Sequence, residues 1–147
     1  MDSCQVILFG YNRPDLLEDR LNELIKIRPN NLLVSIDWFS PELSENFSKL
    51  LNDFSNLWPA NCNFEYKIHG SNQGLAIHLT ETIKMALEKR KAVIVIEDDV
   101  SISGDFIRNA SEVLLRDDFH ERNSSIGGFS VFKFPKFLTS FNFFRNT

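Results

Sequence analysis

The amino-acid sequence predicts an α/β domain with a mostly parallel β-sheet flanked by helices, and three observations support this prediction. Apolar, β-prone blocks begin every 27 to 33 residues along the chain, and two parallel strands with their crossover helix need about 30 residues. The segments between the blocks carry apolar residues at helical spacing. The fourth block, at 92–96, is apolar at every position, as expected for a central strand that is covered on both faces.

Five β-strands are predicted from the apolar blocks. In chain order they are Gln5–Phe9, Leu32–Ile36, Phe64–Ile68, Ala92–Ile96 and Ser125–Phe129. No sequence repeat accompanies their spacing, so a solenoid of similar units is not indicated. The strands and the helices between them therefore form the layers of one domain.

Four helices are predicted between the strands. The first begins near Pro14 with Asn12 as its cap, the second begins after Ser40, and the fourth begins after Ser103. The apolar stripes expected to face the sheet are Leu17, Leu21, Leu24 and Ile25; Leu43, Phe47, Leu50, Leu51 and Phe54; Leu75, Leu79, Ile83, Ala86 and Leu87; and Phe106, Ile107, Ala110 and Leu114.

Composition and charge exclude several classes of protein. The chain has 147 residues, a mass of 17.0 kDa and a net charge of −4, values typical of one folded domain. The longest apolar run, Ala92–Ile96, has five residues, whereas a membrane-spanning helix needs about 20. Cys4 and Cys62 form no metal-binding or disulfide pattern, and the acidic start is no signal peptide, so we expect a cytoplasmic protein. The negative charge disfavours a nucleic-acid partner.

The end of the sequence differs from the rest. Residues 122–147 contain four basic side chains and no acidic one. They also contain half of the phenylalanines: Phe129, Phe132, Phe134, Phe137, Phe141, Phe143 and Phe144. We therefore expect an α/β domain over 1–130, followed at 131–147 by a tail that begins a further half of a longer protein. Alternatively, the tail docks on a partner, a second copy of the chain or the anionic inner face of a membrane.

Three consecutive acidic residues, Glu97, Asp98 and Asp99, directly follow the fourth strand. Ligands of open α/β sheets bind beyond the carboxyl ends of the strands. Adjacent carboxylates repel one another unless a cation compensates their charge, and hard oxygen ligands suit Mg²⁺ or Mn²⁺ shared with a bound diphosphate. In an extended chain, Glu97 and Asp99 would point to one side and Asp98 to the other. A solvated acidic turn is the alternative.

The order of several short motifs resembles the GT-A glycosyltransferases. The motifs are Val6–Pro14 (VILFGYNRP), Val34–Asp37 (VSID), Ser71–Ala76 (SNQGLA), Val95–Asp99 (VIEDD) and Ser125–Ser130 (SIGGFS). Glu-Asp-Asp is similar to the Asp-x-Asp-type motif of that family. The resemblance implies a GT-A, Rossmann-like fold and transfer of a sugar from a nucleotide diphosphate, with a UDP-sugar favoured, to a glycan or other acceptor in surface polysaccharide or glycoconjugate synthesis.

The resemblance also implies a role for each residue of the site. The nucleotide pocket would be bordered by Tyr11, Asn12 and Arg13, and the nucleotide would also lie against Asn72 and Gly74. Asp37 would meet the base, and Asp98 would bind the ribose. Glu97 would reach the donor sugar, and Asp99 would bind Mn²⁺ or Mg²⁺. Arg13 and Asp37 have structural alternatives at a helix start and in a turn, and Asn72 is also a candidate helix cap. The catalytic base and the acceptor site are expected in the later half that the family possesses, so the 147-residue chain alone is expected to be inactive.

Two other functions remain open. A nucleotidyltransferase would also use carboxylates and Mg²⁺. Such enzymes usually hold a triphosphate with a glycine-rich, basic loop, and the loop Gly10–Pro14 has only one glycine and one arginine, which disfavours this function. A non-catalytic module for nucleotide binding or assembly is the second alternative. His69, His78 and His120 have no spacing for metal binding, and structural roles are expected for them.

Overall fold

The structure, a computed structural model, describes residues 4–116 and 142–145. The elements in chain order are β1 (Cys4–Gly10), α1 (Pro14–Ile27), β2 (Asn31–Ile36), α2 (Pro41–Leu57), β3 (Asn63–Ile68), α3 (Leu75–Lys89), β4 (Ala92–Glu97), α4 (Gly104–Leu115) and β5 (Asn142–Arg145). The first four predicted strands are confirmed to within one residue at each end. The fifth predicted strand, Ser125–Phe129, lies outside the described residues, and so does His120.

The five strands form one sheet in the order β3-β2-β1-β4-β5. The pairs β1–β2, β2–β3 and β1–β4 are parallel, whereas β5 is antiparallel to β4. The mostly parallel α/β fold is therefore confirmed. β5 lies in the segment 131–147 and extends the same sheet beside β4. The domain boundary near residue 130 stays a prediction.

Helices cover both faces of the sheet because successive side chains of a strand point to opposite sides. On one face, Val6 and Leu8 of β1 pack in a core with α1, α2 and α4. On the other face, Ile7 and Phe9 pack against α3. All four strand residues are buried, which explains why the sequence is apolar without alternation. None of the helices in the described ranges is long and apolar enough to cross a membrane.

The predicted helices are confirmed, with two local corrections. Ser40 and Ser103 cap α2 and α4, since each hydroxyl accepts a hydrogen bond of 3.2 Å from the backbone N–H three residues later. Asn12 does not cap α1: the helix begins at Pro14, so Arg13 takes the cap position, without a capping side-chain hydrogen bond. Leu75 was expected to face the sheet but is 72% exposed, because it is the first residue of α3 and lies at the rim of a cavity.

The connectivity makes β1 the point where the chain reverses direction across the sheet. The strands β2 and β3 lie to one side of β1, and β4 lies to the other. In open α/β sheets, the loops after the two strands at such a point diverge and leave a crevice beyond their carboxyl ends. Here those ends are Gly10 of β1 and Glu97 of β4. They lie side by side, since Phe9, the residue before Gly10, pairs with Glu97. The fold therefore places a crevice beside the acidic residues.

Candidate functional site

A cavity of about 430 Å³ occupies this crevice. Its lining comes from the carboxyl ends of β1, β2 and β4, the loop before α3 and the first turns of α3: Phe9, Gly10, Tyr11, Arg13, Asp37, Asn72, Gly74, Leu75, His78, Leu79, Glu97 and Asp98. Seven of the nine residues that the sequence proposed are in this lining. Asn12 is not among them, and neither is Asp99, although Asp99 contacts Arg13, which is part of the lining. The strand ends thus bring together residues that are far apart in the sequence.

Gly10, the last residue of β1, lies close to the side chains of Ile36 and Leu17. A Cβ atom on Gly10 would lie 2.7 Å from Cδ1 of Ile36 and 3.1 Å from Cδ1 of Leu17. Two of the residues that follow Gly10, Tyr11 and Arg13, line the cavity. A larger residue in place of Gly10 would require the end of the Ile36 side chain to move.

Arg13 joins the acidic residues across the crevice. One terminal guanidinium nitrogen donates to Asp98, and the other donates to Oδ2 of Asp99 at 3.2 Å. The Asp98 side chain is buried at 4% exposure, whereas those of Arg13 and Asp99 are 45% and 46% exposed. The Arg13 guanidinium therefore compensates part of the negative charge for which the sequence predicted a metal ion.

The chain turns directly after β4, so the expected alternation of the three carboxylates is wrong. The N–H of Val100 donates to the carbonyl of Glu97 at 3.1 Å, which closes a turn over 97–100. Because the backbone is no longer extended, Asp98 and Asp99 reach the same guanidinium. The turn concentrates negative charge at one point of the crevice.

Burial and mutual repulsion disfavour ionisation in this cluster. Burial, followed by the charges of Asp99 and Asp98, raises the pKa of Glu97. Burial also raises the pKa of Asp98, and the Arg13 guanidinium opposes that rise. A cation placed beside Glu97 would therefore favour its ionised form.

Asp37 is bound by the protein backbone. Its Oδ1 accepts hydrogen bonds from the N–H groups of Trp38 and Gln73, both at 2.9 Å, and its Oδ2 accepts one from Gly74 at 3.1 Å. The residue is 4% exposed. The carboxylate at the end of β2 thus holds the loop that precedes α3 against the sheet.

The loop before α3 depends on Gly74 and Asn72. Gly74 has a φ of 75°, a backbone conformation that glycine adopts without strain. It is also the cap position of α3, which has no capping side-chain hydrogen bond. Asn72 instead accepts from the Gly74 N–H at 2.8 Å and donates to the Tyr11 hydroxyl at 3.1 Å. Asn72 therefore links this loop to the end of β1.

His78 is a cavity residue that the sequence analysis did not select. It is 3% exposed, and its Nε2 lies 2.7 Å from the hydroxyl of Ser35, which is 3.3 Å from that of Thr82. Its ring also contacts those of Phe9 and His69, with centroid distances of 4.9 and 5.0 Å. The sequence contained a signal: His78 and Thr82 are four residues apart on the buried face of α3, and Ser35 interrupts an apolar strand.

The environment of His78 predicts acid sensitivity. Burial lowers the pKa of His78 to about 4, with smaller effects from Asp37, which raises it, and from His69 and Lys67, which lower it. Because the unfolded state binds the proton near pH 6.5, unfolding takes up a proton between pH 6.5 and about 4. We expect this residue to lower the free energy of unfolding by up to ~1.4 kcal/mol per pH unit as the pH falls through that window.

Urea unfolding at pH 7 and pH 5 measures this effect, with His78→Gln as the comparison. The pH-dependent loss of stability should be smaller in the variant than in the parent. An equal loss in both proteins would assign the acid sensitivity to other groups, among them His69, whose pKa is also lowered by burial and by Lys67.

The oxygen donors in the crevice fit a metal ion that is shared with a ligand. Among residues 4–116 and 142–145, no three His, Cys, Asp or Glu side chains are placed to hold a metal ion together. The half-exposed Asp99 carboxylate contacts the Arg13 guanidinium. Mg²⁺ in nucleotide sites commonly takes one or two carboxylates and completes its shell with phosphate oxygens and water. This donor set fits that arrangement and does not form a complete metal cage.

A larger cavity lies elsewhere in the fold. It has a volume of about 690 Å³ and lies between the end of α1, the start of β2 and α4. None of the sequence-proposed site residues lines it. Its charged residues include Asp105 and Arg108, which pair with each other. The smaller cavity at the strand ends is the candidate site because seven of the sequence-proposed residues line it.

Comparisons with known proteins agree with this fold. No protein-family model matches the sequence, and no curated protein does. One similar solved structure is the mannosyltransferase PcManGT from Pyrobaculum calidifontis in complex with GDP-Man and Mn²⁺. It matches with a TM-score of 0.62 and 17% sequence identity, over 78% of this chain and 33% of that one. The chain thus spans a third of the length of that mannosyltransferase, with which it shares an α/β fold.

Proposed function

We propose that the chain forms the nucleotide-sugar-binding part of a metal-dependent glycosyltransferase of the GT-A type. The observation that carries this proposal is the convergence of seven sequence-proposed residues on one cavity at the carboxyl ends of β1, β2 and β4. The similar fold of a mannosyltransferase that binds GDP-Man and Mn²⁺ supports a nucleotide sugar as the ligand.

The diphosphate would lie at the end of the cavity that holds Arg13 and the acidic residues. The planar guanidinium of Arg13 can donate two parallel hydrogen bonds to phosphate oxygens. Asp99 would hold Mn²⁺ or Mg²⁺, and that ion would supply Lewis-acid stabilisation of the leaving nucleoside diphosphate. Asp98, buried beside Arg13, orients the guanidinium and would also accept from a ribose hydroxyl.

The nucleoside would lie toward Asp37 and the loop before α3. Three backbone N–H groups occupy most of the acceptor sites of the Asp37 carboxylate, which leaves about one lone pair for an N–H of the base. Tyr11 and Asn72 would border the base, and the absence of a side chain at Gly74 allows close approach of the backbone. Glu97 would reach the donor sugar. The uridine preference rests on the resemblance to the GT-A enzymes alone, because an acceptor at Asp37 suits the N–H groups of guanine as well as the N3–H of uracil.

Calorimetric titration of the 147-residue chain with UDP tests the proposal. We expect binding of UDP in the presence of Mn²⁺ and much weaker binding without it, together with no transfer of sugar from a UDP-sugar. No binding of UDP or GDP in either condition would overturn the proposal. Tighter binding of GDP than of UDP would overturn only the uridine preference. Tighter binding of UTP than of UDP would favour a nucleotidyltransferase.

A further inference from the structure

Arg13 holds two acidic residues in different environments. Its guanidinium contacts Asp98, whose side chain is 4% exposed, and Asp99, whose side chain is 46% exposed. These partners lie 85 and 86 residues further along the chain. Arg13 is the N-cap residue of α1, but its side chain makes no capping hydrogen bond. The side chain is therefore available for the contact with the two aspartates.

The two ion pairs differ in how easily solvent or another ligand can separate them. The pair with Asp98 excludes water from one partner, and separating it would leave a buried carboxylate without its cation. The pair with Asp99 is exposed on both sides, at a distance of 3.2 Å, and solvent competes with such a pair at little cost. Asp99 can therefore leave Arg13 while Asp98 keeps the guanidinium in place.

The position of Arg13 has a consequence for metal binding. A divalent cation that approaches Asp99 alone meets the positive charge of Arg13 and must displace it from the carboxylate. A metal that arrives with a diphosphate brings phosphate oxygens, which are good partners for the freed edge of the guanidinium. The phosphate groups thus change the effect of Arg13 on the metal from repulsive to favourable.

We propose that Arg13 is a specificity-determining residue that keeps free divalent metal ions from Asp99 and makes metal binding depend on a diphosphate. This inference rests on the proposed function, because the proposed ligand supplies the diphosphate. It assigns to Arg13 a role beyond bordering the nucleotide pocket: the residue occupies the metal-binding carboxylate in the free protein and contacts phosphate in the complex.

Titration of Mn²⁺ without nucleotide tests the inference directly. Electron paramagnetic resonance of unbound Mn²⁺ measures the affinity of the parent protein and of Arg13→Gln. We expect the variant to bind Mn²⁺ roughly 5 to 150-fold more tightly, the usual range of coupling between two sites. Arg13→Lys retains the charge and should stay close to the parent. Arg108→Gln is the matched control, because Arg108 also pairs with an exposed aspartate, Asp105.

A second measurement uses only the parent protein, so it does not depend on whether Arg13→Gln folds. In a thermal-unfolding experiment, Mn²⁺ together with inorganic pyrophosphate should raise the melting temperature more than the separate effects of Mn²⁺ and pyrophosphate combined. Equal stabilisation by Mn²⁺ with and without pyrophosphate would overturn the inference. So would a folded Arg13→Gln that binds Mn²⁺ no more tightly than the parent.

The outcomes separate this inference from the proposed function. Tighter Mn²⁺ binding by Arg13→Gln, combined with no UDP binding by the parent, would reject the nucleotide-sugar function and retain Arg13 as the counter-ion of Asp99. Mn²⁺-dependent UDP binding by the parent, combined with unchanged Mn²⁺ affinity in Arg13→Gln, would retain the function and reject the role of Arg13.

Discussion

Replacement of Asp99 by alanine is expected to remove the Mn²⁺-dependent part of nucleotide binding. The half-exposed carboxylate of Asp99 is the proposed protein ligand of the ion. Loss of a residue that only supports a metal ligand commonly lowers metal affinity about 10–100-fold. We therefore expect Asp99→Ala to weaken UDP binding in the presence of Mn²⁺ by more than about 100-fold, as measured by calorimetry.

The same substitution should leave the stability of the fold nearly unchanged. Asp99 contributes to the raised pKa of Glu97, so its removal relieves repulsion between like charges. It also removes an ion pair that is exposed on both sides, and such pairs contribute about 0–1 kcal/mol. The two effects oppose each other, and the midpoint of urea unfolding should change little.

Asp53→Ala is the control for the binding measurement, since Asp53 is an exposed aspartate on α2, outside the cavity lining. It should bind UDP and Mn²⁺ as the parent does. If folded Asp99→Ala kept the Mn²⁺ dependence of the parent, the assignment of Asp99 as the metal ligand would be wrong.

The fold was predictable because its determinants are local in the sequence. The apolar run Ala92–Ile96 has no alternation, is short and is rich in β-branched residues, so it predicts a strand that is covered on both faces. Ser40 and Ser103 mark helix starts through hydrogen bonds that span three residues. The exception, Leu75, has the right spacing for the buried stripe, but spacing does not reveal where the sheet ends beneath a helix.

The candidate site was predictable only in part, because its contacts join distant parts of the chain. The strand ends indicated where Glu97 and Asp98 would lie. No local pattern indicated that Arg13 would contact them, since 85 residues separate Arg13 from Asp98. Ser35, His78 and Thr82 are polar residues at buried positions of β2 and α3, which was a local signal, but only the packing of α3 on the sheet shows that the three side chains meet.

The contacts of Asp37 predict a large effect on stability as well as on binding. Asp37→Ala removes the side-chain acceptor of the Trp38, Gln73 and Gly74 N–H groups. The Gly74 N–H keeps its hydrogen bond to Asn72, so the lost stability comes mainly from the N–H groups of Trp38 and Gln73. A fully buried donor without an acceptor costs about 1–3 kcal/mol. Because these N–H groups are partly buried, we expect a total loss of about 2–4 kcal/mol in the free energy of unfolding.

Asp37→Asn distinguishes the structural role from contact with a base. An asparagine can keep its oxygen at the position that accepts from Trp38 and Gln73, while its amide group faces the Gly74 N–H. We expect Asp37→Asn to lose about 1–3 kcal/mol, which is less than the loss in Asp37→Ala. Asp53→Asn, with its exposed side chain, should stay within about 0.5 kcal/mol of the parent.

Urea unfolding of this series measures the structural role, and UDP titration of the folded variants measures the role in binding. If Asp37 acts only by holding the loop before α3, then stability and UDP affinity should fall in the same order across the series. If its remaining lone pair also accepts from the base, Asp37→Asn should lose more affinity than its stability loss explains, because an amide group that turns toward the base offers a donor in place of an acceptor. Unchanged stability in Asp37→Ala would contradict the backbone contacts themselves.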